Sequence, residues 1–285
     1  MDSNVYDHTS MLRFLATWTG VKPANVTSWR ASVTGDLTAA FDFQNPDFSI
    51  PANIPTLDQT WTLTQLTGGS TTPPAEGDQK MPTQEPGTRP HRPASHQPQA
   101  DVTVDRTTGQ VTASLTNTGT VGVSLAVYPD NYLPFTPVPV TVLPSAPRSY
   151  VWNATLTGGK YAFSVYGPDG FLTSFAGQVV PAGQNAGPVP VVTAALRSGP
   201  VLVVIAALPS GPATTVELTL ANEGQGEIVY TLTPNDYEGR TQTVTVTLGS
   251  PKTISWPTSQ YGYYDVVITT NTRDGFRRRY AGRIA

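Results

Sequence analysis

A chain of 285 residues with 13% charged side chains, 25 glycines and 27 prolines is long enough for two or three domains and too rich in turn formers for a helical enzyme. A net charge of −3, with no basic tract interleaved with aromatics, argues against a nucleic-acid partner. Zero cysteines exclude disulfides, thiolate zinc sites and cysteine nucleophiles, and no apolar run approaches the roughly 20 residues a membrane-spanning helix needs.

The opening residues, Met1-Asp2-Ser3-Asn4-Val5-Tyr6, lack both the basic and the apolar part of a signal peptide and read as the interior of a longer protein. Helical period is confined to residues 6–43. Met11, Leu12, Leu15 and Trp18 share one face, Asp7 or Thr9 is placed to cap the helix, and Gly20 to stop it. A second short helix is expected from Ser28 as N-cap through Trp29 and Val33 to Gly35. Two short helices do not bury their apolar stripes alone. Met11, Leu15, Trp18, Trp29, Leu37, Phe41 and Phe43 therefore require a partner surface.

Three blocks in this region carry a resemblance: Tyr6-Asp7-His8-Thr9-Ser10-Met11-Leu12-Arg13-Phe14, then Trp29-Arg30, then Gly35-Asp36-Leu37-Thr38-Ala39-Ala40-Phe41-Asp42-Phe43. In order and spacing they resemble the end of the catalytic domain of bacterial phosphocholine-type phospholipases C, members of a wider phosphoesterase family. Ala31 and Thr34 depart from the commoner pattern, at packing positions. The segment Gln84-Glu85-Pro86-Gly87-Thr88-Arg89-Pro90 and the β units that follow resemble the same family's C-terminal half. The resemblance implies a secreted enzyme that hydrolyses phosphatidylcholine- or sphingomyelin-type phosphodiesters. It also implies that the nucleophile and most ligands of any divalent metal lie in a phosphoesterase core upstream, that this chain holds no cofactor of its own, and that the chain alone is inactive.

Residues 44–66 read as an irregular strap with Pro46, Pro51 and Pro55, followed by Trp61, Leu63 and Leu66. Residues 67–80 contain no large apolar side chain and are expected to be mobile. Residues 81–99, with five prolines, are expected to run extended against the first β unit.

Beyond this strap the chain uses one unit twice, over 111–179 and 216–284. Asn117-Thr118-Gly119 returns as Asn222-Glu223-Gly224, Pro129-Asp130-Asn131-Tyr132 as Pro234-Asn235-Asp236-Tyr237, and Asp169-Gly170-Phe171 as Asp274-Gly275-Phe276, each 105 residues on. Trp152 matches Trp256 and is expected with it at the centre of the core. Val111, Ala113 and Leu115 alternate with Thr112 and Ser114, as Val216, Leu218 and Leu220 alternate with their neighbours; such a period puts one face of a strand in a core. About seven short strands per unit predict a small antiparallel sandwich. Residues 189–197 are expected as an extra strand of the second unit, with 202–208 matching the first strand of the first unit.

The fold class is therefore mainly β: two tandem antiparallel β-sandwiches (101–185 and 186–285) preceded by a short helical fragment of a phosphoesterase domain (1–66) and a proline-rich strap (67–100). Asp7 and His8 are the sharpest candidate site residues, since metal-assisted phosphoester hydrolysis uses carboxylates and imidazoles; the competing reading has Asp7 capping the helix and His8 packing on the absent core. His91 and His96, without a third ligand, read as exposed strap residues rather than zinc ligands. Arg277 and Arg279 share one face of a strand and could meet an anionic headgroup or membrane surface, against the plainer reading of a charged edge strand. Tyr128, Tyr132, Tyr150, Tyr161 and Tyr166 are candidates for a choline cage, or simply core and rim tyrosines. The alternative for the whole chain is a non-enzymatic sandwich that binds carbohydrate or another surface partner.

Overall fold

The computed structural model describes residues 2, 4–50, 75, 78, 95–132, 136–179, 187–197, 215–259 and 262–284. Two helices come first, α1 (His8–Thr19) and α2 (Ser28–Val33). Seven strands of the first unit follow: β1 (Pro98–Val104), β2 (Gln110–Asn117), β3 (Val123–Asn131), β4 (Val138–Val142), β5 (Arg148–Asn153), β6 (Lys160–Tyr166) and β7 (Leu172–Gln178). The second unit repeats them as β8 (Pro190–Arg197), β9 (Thr215–Asn222), β10 (Glu227–Asp236), β11 (Gln242–Thr247), β12 (Lys252–Pro257), β13 (Tyr263–Thr270) and β14 (Arg277–Arg283). The mobile segment expected over 67–80 and most of the strap fall outside the described residues.

Each unit is a sandwich of a three-stranded and a four-stranded sheet, antiparallel throughout. Strand order is β1-β2-β5 against β4-β3-β6-β7 in the first, and β8-β9-β12 against β11-β10-β13-β14 in the second. The two orders are the same. Val111 lies opposite Trp152 and Val216 opposite Trp256, so even the register is kept. The alternation read from sequence places Val111, Ala113, Leu115, Val216, Leu218 and Leu220 in the core, all fully buried. Trp256 is fully buried too, roofed by Gly239, where an added Cβ would stand 2.5 Å from the indole. Trp152 is only partly buried, its ring set edge-on at 4.3 Å to Phe163. The expectation of two equally central tryptophans thus holds for one of them.

The strand over 190–197 corrects another expectation. It is not extra. β8 pairs with β9 as β1 pairs with β2, Pro190 opposite Asn222 and Pro98 opposite Asn117. The constant offset fails here because the connection from β8 to β9 is longer than that from β1 to β2, and residues 202–208 lie in it, outside the described residues.

The recurring Asn-x-Gly closes each unit. Asn117 accepts from the Gln97 and Gly119 backbone N–H groups and donates to the Val121 and Val142 carbonyls. Asn222 accepts from Val189 and Gly224 and donates to Gly226. Both are buried, and such groups must be satisfied. A Cβ at Gly119 would lie 2.4 Å from the His96 Cα, and one at Gly224 would lie 2.1 Å from the Gly187 carbonyl oxygen. Glycine alone lets the backbones approach this closely. The end of the strap does lie against the first unit, through the bonds from Thr118 N–H to Gln97 and from Thr120 N–H to Ser95.

The units fuse edge to edge. β7 and β14 pair antiparallel, so the two four-stranded sheets form one eight-stranded sheet. The pairing is symmetric: Arg277 faces Ala176 and Ala281 faces Leu172, while the central pair, Ser174 and Arg279, are each other's counterparts. Above this join the two three-stranded sheets present β1 and β8 to one another, touching but not paired.

Candidate functional site

The helical segment sits at the end of the first sandwich where β3 begins. Asp7 caps α1: its carboxylate accepts from the Thr9 N–H at 2.7 Å and the Thr9 hydroxyl at 2.6 Å, while the Ser10 hydroxyl accepts from the Asp7 N–H at 3.1 Å. Gly20 ends the helix in the left-handed conformation. α2 is capped by Thr27, one residue before the expected Ser28, because the Thr27 hydroxyl reaches the Arg30 N–H. Arg30 then turns back and forms an ion pair with Asp7. The Thr9 hydroxyl and the Arg30 guanidinium together hold the Asp7 carboxyl down at about 2. Polar bonds that fasten this segment to the sandwich include the Trp29 indole N–H to the Thr141 hydroxyl at 2.7 Å and the Ser95 hydroxyl to Asn4.

Between segment and sandwich lies a cavity of about 310 Å³, lined among others by Asp7, Trp29, Arg30, Val33, His96 and Ser124. His96 is 5% exposed, which corrects its reading as an exposed strap residue: the Asn117 turn draws the strap end inward. Burial holds its imidazole below the ordinary histidine value, against the pull of the Asp169 carboxylate. Its Nε2 has no hydrogen-bond partner among the described residues.

His8 opens α1 and is exposed to solvent. Asp7 and His8 are neighbours on the chain, but no hydrogen bond joins them among the described residues. The carboxylate is committed to its cap and to Arg30, while the imidazole is open to solvent. Among the described residues no group of three or more His, Asp or Glu is placed to hold a metal ion. In the same segment the apolar side chains that need a partner stand open: Met11 is 66% exposed, Trp18 77% and Phe48 89%, with Leu15, Trp29, Phe41, Phe43 and Ile50 also exposed.

The basic strand corrects the reading of a charged edge strand. β14 is interior, paired with β13 on one side and β7 on the other, so its arginines guard no edge. Arg277 is exposed, but Arg279 binds Asp265 with two bonds of 2.9 and 2.6 Å. Arg278 is buried: it donates to the Ala176 carbonyl and the Tyr161 hydroxyl, and lies 4.2 Å over the Phe276 ring. The five tyrosines do not converge. Tyr128 and Tyr166 meet edge to face at 5.2 Å, Tyr132 lies under Lys160, Tyr150 packs on Trp152, and Tyr161 serves Arg278. Sequence reasoning missed the partners: Arg30 of the Trp-Arg block, and Asp101 on β1, a lone carboxylate in an otherwise ordinary strand.

A family model described as "Bacterial phospholipase C, C-terminal domain" matches residues 90–178 and again 193–283, one match per sandwich. The chain is 29% identical over 288 residues to a non-hemolytic phospholipase C of Burkholderia pseudomallei, covering 99% of this chain and 39% of that protein. It is 30% identical over 319 residues to a hemolytic phospholipase C of Pseudomonas aeruginosa, covering 100% of this chain and 41% of that protein. The chain thus spans about two fifths of the length of the curated relatives it matches. With a model match over each sandwich and relatives aligned along its whole length, this chain belongs to the bacterial phospholipase C family, and its two sandwiches are that family's C-terminal domain in tandem.

Proposed function

We propose that this chain is the C-terminal part of a secreted phospholipase C that cleaves the headgroup phosphodiester of phosphatidylcholine or sphingomyelin. Residues 1–66 close its phosphoesterase domain, and the tandem sandwiches are an accessory base on which that domain rests. One observation supports the reading: Met11, Leu12, Leu15, Trp18, Trp29, Phe41, Phe43, Phe48 and Ile50 stand exposed within one short segment, whereas the sandwiches bury Trp256, Tyr230, Phe163 and Phe175 in their core. A core seated on them would bury that surface, with roughly 25 cal/mol gained per Å² removed from water. Seated there, it would also meet His8 and the first turn of α1, so Asp7 and His8 are site-proximal. Asp7 fixes the turn and His8 faces the core. The nucleophile and the ligands of any divalent metal would belong to the core. The exposed helices weigh against a self-contained carbohydrate-binding module, which would cover them with its own chain.

The test joins and separates the parts. The gene region upstream of Met1 should encode a phosphoesterase core in frame, and the joined protein should hydrolyse a chromogenic phosphocholine ester while residues 1–285 alone do not. Turnover by residues 1–285 alone that disappears in His8→Ala would overturn the reading, and so would an upstream region that encodes no such core.

A further inference from the structure

The seam between the sandwiches holds a polar cluster that the accessory role does not use. Tyr280 of β14 rises from the eight-stranded sheet into the gap between β1 and β8. Its hydroxyl lies 3.3 Å from the Asp101 carboxylate on β1 and 3.3 Å from the Val192 carbonyl on β8. Asp101 also accepts the Ala194 backbone N–H of β8. The other groups facing it are the Arg278 charge on β14, with Tyr161 of β6 bonded behind it, and Ser114, its uncharged partner on β2. The cluster has no twin: the pairing register puts Thr193 of β8 where the first unit has Asp101, and Thr173 of β7 where the second has Arg278. At the seam the two copies do different jobs.

We propose that Asp101 is a proton-operated latch between the two sandwiches: protonated, it completes a hydrogen-bond relay from β1 through Tyr280 to β8, and ionised, it breaks that relay. The reason is a count of protons. Tyr280 has one hydroxyl proton and faces two acceptors at equal, long distance, so with Asp101 ionised that proton is shared between them. A proton on the Asp101 carboxyl can be donated to the Tyr280 oxygen, which frees the tyrosine's own proton for the Val192 carbonyl. Beside the Ala194 N–H bond to Asp101, β1 and β8 are then joined through Tyr280 by two directed bonds instead of one divided bond. Buried networks of this kind are worth most when every member is satisfied.

Burial pushes the Asp101 carboxyl up to about 6, against the opposing pull of the Ala194 N–H, the Tyr280 hydroxyl and Arg278. The folded chain therefore holds a proton that an unfolded aspartate, with a pKa of about 3.9, has already released. Linkage then fixes the sign: the latch adds stability as pH falls below about 6, and that stability is lost as pH rises through the same value.

The experiment uses the whole 285-residue chain and Asp101→Asn, whose amide donates to Tyr280 while its carbonyl still accepts from Ala194. Thermal unfolding midpoints are compared at about pH 5 and about pH 7.5. Asp101→Asn should raise the midpoint by roughly 3–6 °C at the higher pH and by about half as much at the lower, where the unfolded aspartate is already ionised while the folded one is not. In a Tyr280→Phe background the pH-dependent part of that gain should vanish. An equal midpoint difference at both pH values would overturn the proposal. So would a pH-dependent gain that survives Tyr280→Phe, which would trace to burial of the carboxylate alone.

Discussion

The tandem sandwiches and the helical segment obey the same rules with opposite outcomes. In the sandwiches alternation is matched by a facing sheet, and Trp256, Tyr230, Phe163 and Phe175 are all but fully buried. In the segment the capping box is complete, the C-cap glycine is in place, and still Met11, Trp18 and Phe48 face water. Local rules make a helix; they do not make a core. The segment is well formed in its own chain and incomplete in its packing, and that difference marks the face on which the proposed phosphoesterase core would sit.

The comparison breaks most sharply on two tryptophans. Trp256→Ala should destabilise the sandwiches by about 3–5 kcal/mol in chemical denaturation, the range for a buried aromatic. Trp18→Ala in the same chain should move stability by no more than about 0.5 kcal/mol. A large loss from Trp18→Ala would mean that this side chain is covered in solution.

Glycines sharpen it next. Gly224→Ala sets a methyl group against the Gly187 carbonyl, and Gly119→Ala sets one against the His96 backbone. Each should cost about 1–3 kcal/mol, as overpacking does. Gly20→Ala meets nothing nearby and should lose only the left-handed preference at the end of α1, about 1 kcal/mol, read as reduced helicity.

Acid should then act on the two regions over different ranges. Burial depresses His96, so an unfolded chain takes up a proton first as pH falls, and the first sandwich should lose stability below about pH 6.5. His96→Phe should flatten that limb of the unfolding curve; an unchanged limb would clear His96 of the effect.

Asp7 gives the smallest effect. Its carboxyl is held down at about 2, so its cap is at full strength above the unfolded value near 4 and is lost as pH falls through about 2. The helical ellipticity of α1 should fade over that window and fade no further in Asp7→Asn, which caps without titrating.

The architecture was legible because it is written twice. Asn117-Thr118-Gly119 and its copy named the turn, the alternation named the buried faces, and the common offset named the register. Where the offset changed, the reading failed, since an insertion between β8 and β9 moves a strand without altering its pattern. Candidate chemistry was far less legible. A strand position shows which face a side chain takes, but not that β14 would lie inside a sheet eight strands wide. Asp101 and Tyr280 are far apart in sequence and meet only because two units join edge to edge. His96 was misjudged for a related reason: its proline-rich surroundings describe the strap, while its burial is decided by a turn that begins at Asn117.

The symmetric pairing of β7 with β14 has a further consequence. A contact in which Ser174 meets its own counterpart, Arg279, and flanking residues exchange roles about that centre, is isologous: it is the geometry of a two-fold homodimer. Here both protomers are cast in one polypeptide, so the encounter is intramolecular, at an effective concentration on the order of millimolar. It has no monomeric state to dissociate into. A true homodimer must also carry every substitution twice, once on each side of its axis. The covalent version is free of that constraint, and Arg279 facing Ser174 at the very centre of the axis is a pair that no symmetric dimer could contain.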